Sequence, residues 1–275
     1  MSPSTHQPPV VLTFAGADPT SGAGLQADLL TLASMGCHPL SIVTAITTQD
    51  TCGVTAVQVT PARLVQTQAQ VVLADITAGA FKIGMVGSAD NARAIARVLI
   101  AHPGVPVVLD PVLASGRGDE LAGSTTRAAL LKHLLPLATL ITPNSVEARA
   151  LAGCAPDEPL EIAAATLLAA GARHVLITGT HEPGTTVRNT LFGPAGVIRD
   201  DEWERLPGHY HGSGCTLAAA IAAALANQLE LADAVRAGQE YTWQSLANAF
   251  HPGKGQAIPD RFFWARHGGA TATAG

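Results

Sequence analysis

The residues best suited to chemistry lie in the last quarter of the chain, in His211-Gly212-Ser213-Gly214-Cys215-Thr216. Two glycines allow a sharp backbone turn, and an alanine-rich, strongly helix-forming stretch follows at once. Free amides at a helix start, together with the dipole, bind anions. Small residues in succession leave room for a phosphate against those amides. The pattern predicts an anion hole built from Gly212, Ser213, Gly214 and Cys215. Cys215, at the helix start, should have its thiol pKa lowered by the dipole. It could then act as a base or line the pocket.

Two further groups could do chemistry. Asp110 follows the β-rich Val107-Val108-Leu109, and Asn144 with Glu147 follows Leu140-Ile141-Thr142. Hard oxygen ligands suit Mg²⁺, which takes one or two carboxylates plus substrate phosphates. From spacing alone, Asn144 and Glu147 read better as a helix cap and its capping-box partner. Near the other end, Gly22-Ala23-Gly24-Leu25-Gln26-Ala27 fits the dinucleotide pattern G-x-G-x-x-G/A. Asp18 to Ser21 intervene after the strand, and no acid stands at the ribose spacing, so a nicotinamide or flavin site is not expected. A close approach of backbone to some ligand is. Asp28 would lie in the first turn of the following helix. No Walker A loop occurs.

These groups need a scaffold, and the chain supplies an alternating one. Strands are expected at Val10–Ala15, Leu40–Ile46, Ala80–Met85, Val105–Leu109, Ala138–Thr142 and His174–Thr178. Helices are expected at Gln26–Met35, Pro61–Leu73, Asn91–Ala101, Thr125–Leu135, Ser145–Ala152, Leu160–Ala170, Cys215–Asn227 and Leu231–Phe250. Such alternation implies crossovers and a mostly parallel sheet covered on both faces. Asn189–Phe192, Val197–Asp200 and Glu202–Leu206 break the pattern as short antiparallel strands. Polar and glycine-rich residues cluster at the carboxyl ends of the strands, where open α/β sheets bind ligands. With no repeat and no linker, residues 1–275 read as one domain, with tails at 1–9 and 267–275.

Composition narrows the partners. The chain is 47% hydrophobic, only 13% charged, and carries a net charge of −5. That argues against a nucleic-acid partner, which needs a basic face. The longest apolar run, Leu217–Ala226, is too short to span a membrane, and no membrane partner is expected. The start of the chain lacks signal-peptide features. Cys37, Cys52, Cys154 and Cys215 form no CxxC pair and read as four reduced thiols in a cytoplasmic protein.

Taken in order, these segments resemble the hydroxymethylpyrimidine and phosphomethylpyrimidine kinases of thiamin synthesis, within the ribokinase-like group. The matching pieces are Ala15–Pro19, Ser21–Asp28, Thr44-Ala45 to Gln49, Lys82-Ile83-Gly84-Met85, Asp110-Pro111-Val112, Thr142-Pro143-Asn144 and Gly212–Leu217. They run from about Val10 to Phe250. Cys215 discriminates best, because most ribokinase-like enzymes carry Asp there.

The resemblance implies a three-layer α/β/α fold with a few antiparallel edge strands, a homodimer, and ATP with Mg²⁺ as cofactors. It implies a pyrimidine held among Gly16, Asp28, Gln49, Met85 and Val112, with Gln49 bonded to the ring and Asp28 placing polar groups. Asp110 and Glu147 would hold Mg²⁺ through waters. Asn144, Thr178, Gly179 and Arg117 would face the nucleotide, and Cys215 would take the proton of the attacking hydroxyl. The chain departs from the family at Thr178-Gly179-Thr180-His181, where a Lys before Gly-Gly-His is usual. Arg117 or Lys254 could supply the missing charge. Thr47 stands where an apolar residue is common. Two other readings stay open: a pyridoxal-type kinase of the same fold, and a pyrimidine-binding regulatory protein without turnover.

Overall fold

The computed structural model describes residues 7–114 and 121–266. Its centre is a nine-stranded sheet in the order β3-β2-β1-β4-β5-β6-β7-β8-β9. The parallel strands are β1 (Val10–Ala17), β2 (His38–Asp50), β4 (Ala80–Ile83), β5 (Val107–Leu109), β6 (Leu140–Ile141) and β7 (Val175–Thr178). Three antiparallel strands finish the edges: β3 (Gly53–Val59) on one side, β8 (Thr186–Gly193) and β9 (Gly196–Glu204) on the other.

Side chains alternate across each strand, so the sheet serves two cores. Leu12, Phe14, Phe81, Ile83, Val107 and Leu109 face helices α2 (Ala62–Asp75), α3 (Ala89–Ile100), α4 (Ser124–Ala129), α5 (Ser145–Ala152) and α6 (Leu160–Ala169). Val11, Ala80, Val108, Leu140 and Leu176 face α1 (Gly24–Ser34), α7 (Ser213–Ala226) and α8 (Leu231–Ala247). A short α9 (Phe263–Arg266) ends the described chain. Helix α7 buries nine consecutive residues, Thr216–Ala224, which its alanines make possible by letting it lie close to the strands. The period of two then has a consequence for the site. Thr13, Lys82 and Asp110 follow Val11, Ala80 and Val108 on the α7 face, so three polar side chains emerge together at the strand ends.

Several expectations are corrected. Strand β3 was not expected; it folds back on β2, which runs on to Asp50. The helix expected at Thr125–Leu135 is α-helical only to Ala129, then widens to a π turn (Leu130–Leu134) and tightens to a 3₁₀ turn (Leu135–Leu137). Pro136, with no N–H to donate, lies in that last turn. The two strands expected across Asp200–Glu202 are one continuous β9. Asp201 looked like a break, but its carboxylate is buried and bonded to Arg199, Arg236 and Gln239. Helix α8 stops at Ala247 rather than Phe250, and Phe250 instead bridges Ile258. Of the expected tails, 1–6 and 267–275 lie outside the described residues, while the Pro9 carbonyl accepts from His38 N–H. Among the described residues, no helix is long and apolar enough to cross a membrane.

Candidate active site

Two glycine-rich segments, nearly two hundred residues apart in sequence, meet face to face above the strand ends. The first, Asp18 to Gly24, leaves β1 and enters α1. Asp18 organises it: its carboxylate accepts from the amides of Thr20 and Ala23, from the Thr20 hydroxyl, and from His211 Nε2 at 2.9 Å. Burial alone would raise the Asp18 pKa; the His211 bond and the amides outweigh it and hold it at about 2. The second segment enters α7 through Gly212, which sits in the left-handed region (φ 78°). A Cβ there would lie 2.0 Å from the Gly22 carbonyl oxygen. Glycine is required by this contact as much as by the backbone angle.

No side chain caps α7, and its first internal bond runs from Thr216 N–H to the Gly212 carbonyl. The amides of Ser213, Gly214 and Cys215 precede that bond, as the anion-hole expectation requires. Helix α1 likewise begins at Gly24 without a side-chain cap. The Gly24 amide hydrogen-bonds to the Cys215 sulfur, so the two helix starts share one thiol.

Beneath the loops lies a buried cluster of charge. Lys82 has no exposed surface, and its Nζ lies 2.9 Å from Asp28 Oδ1, 3.1 Å from Asp28 Oδ2 and 3.7 Å from Asp110 Oδ2. Thr13 donates to Asp28 at 2.6 Å. Burial would discharge an isolated lysine, but the charge of Asp28 and then that of Asp110 raise its pKa instead. Both carboxylates are pushed upward by burial and pulled back by Lys82. Two carboxylates share one ammonium, and Asp28 holds it more closely. Asp110 is the less closely compensated of the two, and its Oδ2 has no hydrogen-bond partner.

Cys215 differs from its expectation. Burial, with the charges of Asp110 and Asp28, pushes its thiol up to about 12, against the opposing pull of Lys82 and the Gly24 amide. The helix dipole does not prevail in this enclosed, anionic setting. The resting group is a neutral thiol that hydrogen-bonds to Asp110. An ordinary thiol near pKa 8.5 would carry on the order of 10³ times more thiolate at neutral pH. Iodoacetamide at pH 7.5 is therefore expected to modify Cys52, half-buried like Cys215, long before Cys215, as read by peptide mass mapping. Early modification of Cys215 would contradict the neutral thiol. All four cysteines are free, as expected.

Asn144 caps α5, and the capping box with Glu147 is complete: Asn144 Oδ1 accepts from Glu147 N–H at 2.9 Å, and Glu147 Oε2 accepts from Asn144 N–H at 3.0 Å. Glu147 Oε1 also accepts from Leu113 N–H at 3.3 Å. Burial and then the Asp110 charge push the Glu147 pKa up to about 7. Each carboxylate oxygen keeps a further acceptor site. Among the described residues no group of three or more His, Cys, Asp or Glu could hold a metal ion. The hard carboxylate oxygens of Asp110 and Glu147 nonetheless fit Mg²⁺, which relies on phosphate and water for its other ligands.

The remaining candidates divide. Thr178 bridges Asn144, and its N–H donates to the Pro143 carbonyl, so those strand ends meet. Gly179 is buried, donates to Asn189 Oδ1, and has no room for a Cβ beside the Arg188 carbonyl. Gly16 lies against Met85: a Cβ would come 3.2 Å from its sulfur. Val112 is half-buried beyond β5. Gln49 stands apart near the tip of the β2–β3 hairpin, opposite Val54. Asp28 was expected in the first turn of α1 and against substrate; it lies beyond that turn with no exposed surface, and its reach is through Lys82. Arg117 lies outside the described residues, and Lys254 is exposed.

Four residues of the site had no assigned role from sequence: Lys82, Asp18, His211 and Arg261. A lysine inside the apolar run Ala80–Ile83 was a readable signal, since lysine is almost never fully buried unless paired. Nothing near Arg261 in sequence points to glycines far upstream.

The chain matches the family model described as phosphomethylpyrimidine kinase over residues 18–260. It is 39% identical to a hydroxymethylpyrimidine/phosphomethylpyrimidine kinase of Streptomyces coelicolor, over 90% of this chain and 92% of the relative. Its fold is similar to Staphylococcus aureus pyridoxal kinase in complex with AMP-PCP (TM-score 0.86, 29% identity, 94% of this chain and 95% of that one). It is also similar to phosphomethylpyrimidine kinase of Clostridium difficile (TM-score 0.75, 33% identity, 86% and 99%). With its α/β sheet, its paired glycine loops and a cysteine at the start of α7, the chain belongs to the phosphomethylpyrimidine kinase family of phosphotransferases.

Proposed function

We propose that this chain, acting as one kinase domain, transfers the γ-phosphoryl group of ATP to hydroxymethylpyrimidine, to its monophosphate, or to both. The observation that carries the reading is the Asp28–Lys82–Asp110–Cys215 cluster directly beneath the uncapped start of α7. The acceptor oxygen, the hydroxyl of hydroxymethylpyrimidine or a phosphate oxygen of its monophosphate, forms a bond to the γ-phosphorus as the bond to the ADP oxygen breaks. Phosphoryl transfer depends mainly on positioning and electrostatic stabilisation, and fixed amides supply both. The amides of Ser213, Gly214 and Cys215 meet the charge on the transferring group. Asn144, Thr178 and Gly179, gathered at neighbouring strand ends, face the nucleotide.

Asp110 and Glu147 would hold Mg²⁺, which when bound neutralises phosphate charge. With hydroxymethylpyrimidine as acceptor, the hydroxyl proton passes toward Cys215. Because that sulfur rests as a thiol bonded to Asp110, it accepts a proton only as its own moves to the carboxylate. Gly16, Met85 and Val112 flank the pyrimidine, and Gln49 reaches it from the hairpin. A cytoplasmic homodimer completes this reading.

The test is phosphate transfer from Mg·ATP to hydroxymethylpyrimidine and, separately, to its monophosphate, with products resolved by mass. Turnover of either supports the proposal. Cys215→Ala should lose at least about tenfold in turnover, against the roughly 10²–10⁴ typical of a general base, with pyrimidine affinity kept. Near-normal turnover in that variant would remove the proton-transfer role. Pyridoxal is the second acceptor to assay, because pyridoxal kinases are among the similar structures. Turnover of pyridoxal alone would reassign the acceptor. Pyrimidine binding without any turnover would make this a regulatory binder.

A further inference from the structure

Arg261 is the least expected group near the site. It lies beyond α8, 2% exposed, in a segment that runs under both glycine loops. Its Nη2 donates to the Gly22 carbonyl at 2.6 Å, its Nη1 to the Ser21 carbonyl at 3.1 Å, and its Nε to the Thr216 hydroxyl at 3.1 Å. None of these acceptors is a carboxylate. A buried arginine normally repays its desolvation through an ion pair. This one binds only neutral oxygens, two on the first glycine loop and one in the first turn of α7.

The bonds converge on the geometry that matters. Ser21 is one of two non-glycine residues with positive φ among the described residues (φ 61°), which turns its carbonyl toward the guanidinium. Thr216 accepts from Arg261 and donates to the Gly212 carbonyl, so the arginine also steadies the residue that opens α7. Gly22 and Gly212 are in backbone contact, and the Gly24 amide reaches the Cys215 sulfur. The relative position of the loops thus sets where the anion-binding amides lie against the thiol. The segment bearing Arg261 is itself anchored, with its carbonyl accepting from Tyr241 and the Asp260 amide bonded to the Ser245 carbonyl.

We propose that Arg261 is a positioning residue that holds the two glycine loops in one register, so that donor phosphate and acceptor hydroxyl lie in line. The inference rests on the phosphotransfer reading above. A residue of this kind acts on the transition state and leaves ground-state binding alone. A misplacement of about 1 Å can cost on the order of 10² in rate.

The experiment is steady-state kinetics of the wild type, Arg261→Lys and Arg261→Met with Mg·ATP and hydroxymethylpyrimidine, alongside thermal melts. Arg261→Met should lose about 10²-fold in kcat with KM for both substrates kept. Arg261→Lys should lose less, because one ammonium can meet some but not all of the three acceptors. An unchanged kcat in either folded variant overturns the proposal, as does a loss expressed entirely in KM. Failure to recover folded Arg261→Lys would assign the residue to stability and overturns it too. A wild type without turnover on any acceptor would instead sink the phosphotransfer reading, so the two failures are told apart.

Discussion

Gly212→Ala should lose about 10²–10³ in turnover, the loss seen when one charge-stabilising donor is removed from an active site. The reason is contact. The new methyl would lie 2.0 Å from the Gly22 carbonyl oxygen and 2.8 Å from Ala23 Cα, and both are backbone atoms. Neither can rotate away, so the loops must part, and the amides of α7 move with them. Left-handed strain contributes as well, and Gly153 separates the two effects. It has nearly the same backbone angles (φ 71°, ψ 24° against φ 78°, ψ 21°), yet nothing lies within 4 Å of its Cβ position. Gly153→Ala should melt slightly earlier and keep its rate. Gly212→Ala, with the clash added to the same strain, should melt earlier still and lose its rate, as measured by phosphate transfer and calorimetry on the pair. Equal activity in the two variants would show that the loop contact is dispensable.

Lys82→Met should carry the largest stability cost. It leaves Asp28 and Asp110 buried without their cation, and breaking a buried pair typically costs about 3–5 kcal/mol. For a protein of this size the melting temperature should fall on the order of 10 °C. The sign of the pH dependence follows from Asp28, whose folded-state pKa is already raised by burial. Without the ammonium it rises further. A carboxyl with a raised folded pKa contributes stability below its unfolded pKa and loses it as pH rises through the folded one. The gap between variant and wild type should therefore be smaller at pH 5 than at pH 8. Adding Asp28→Asn removes one stranded charge, so the double variant should lose less than the sum of the singles. Simple additivity would mean that the two side chains do not share their charge.

The alternation of elements was legible because each has a local cause. Ser145–Ala152 was read to the residue, since Asn144 and Glu147 form the capping box their spacing suggests. Strand β3 was missed even though Val54, Val57 and Val59 are apolar, because its pairing with β2 depends on a turn and not on a buried face. Asp201 was left between two expected strands because two of its three partners, Arg236 and Gln239, lie on α8.

The layered sheet, the glycine-rich entry to α7, the position of Cys215 and the family could all be read along the chain. These follow from periodicity, from glycine and alanine preferences, and from short ordered motifs. The state of the thiol could not be read that way, because it depends on how the folded chain surrounds it. A helix start lowers a thiol pKa when the thiol is solvated, but here Asp28 and Asp110 converge on it from separate elements, and burial wins. The same holds for Arg261, Lys82 and the Asp18–His211 pair. Each acts through partners from about 30 to 240 residues away along the chain, and such contacts exist only once the sheet has brought its strand ends together.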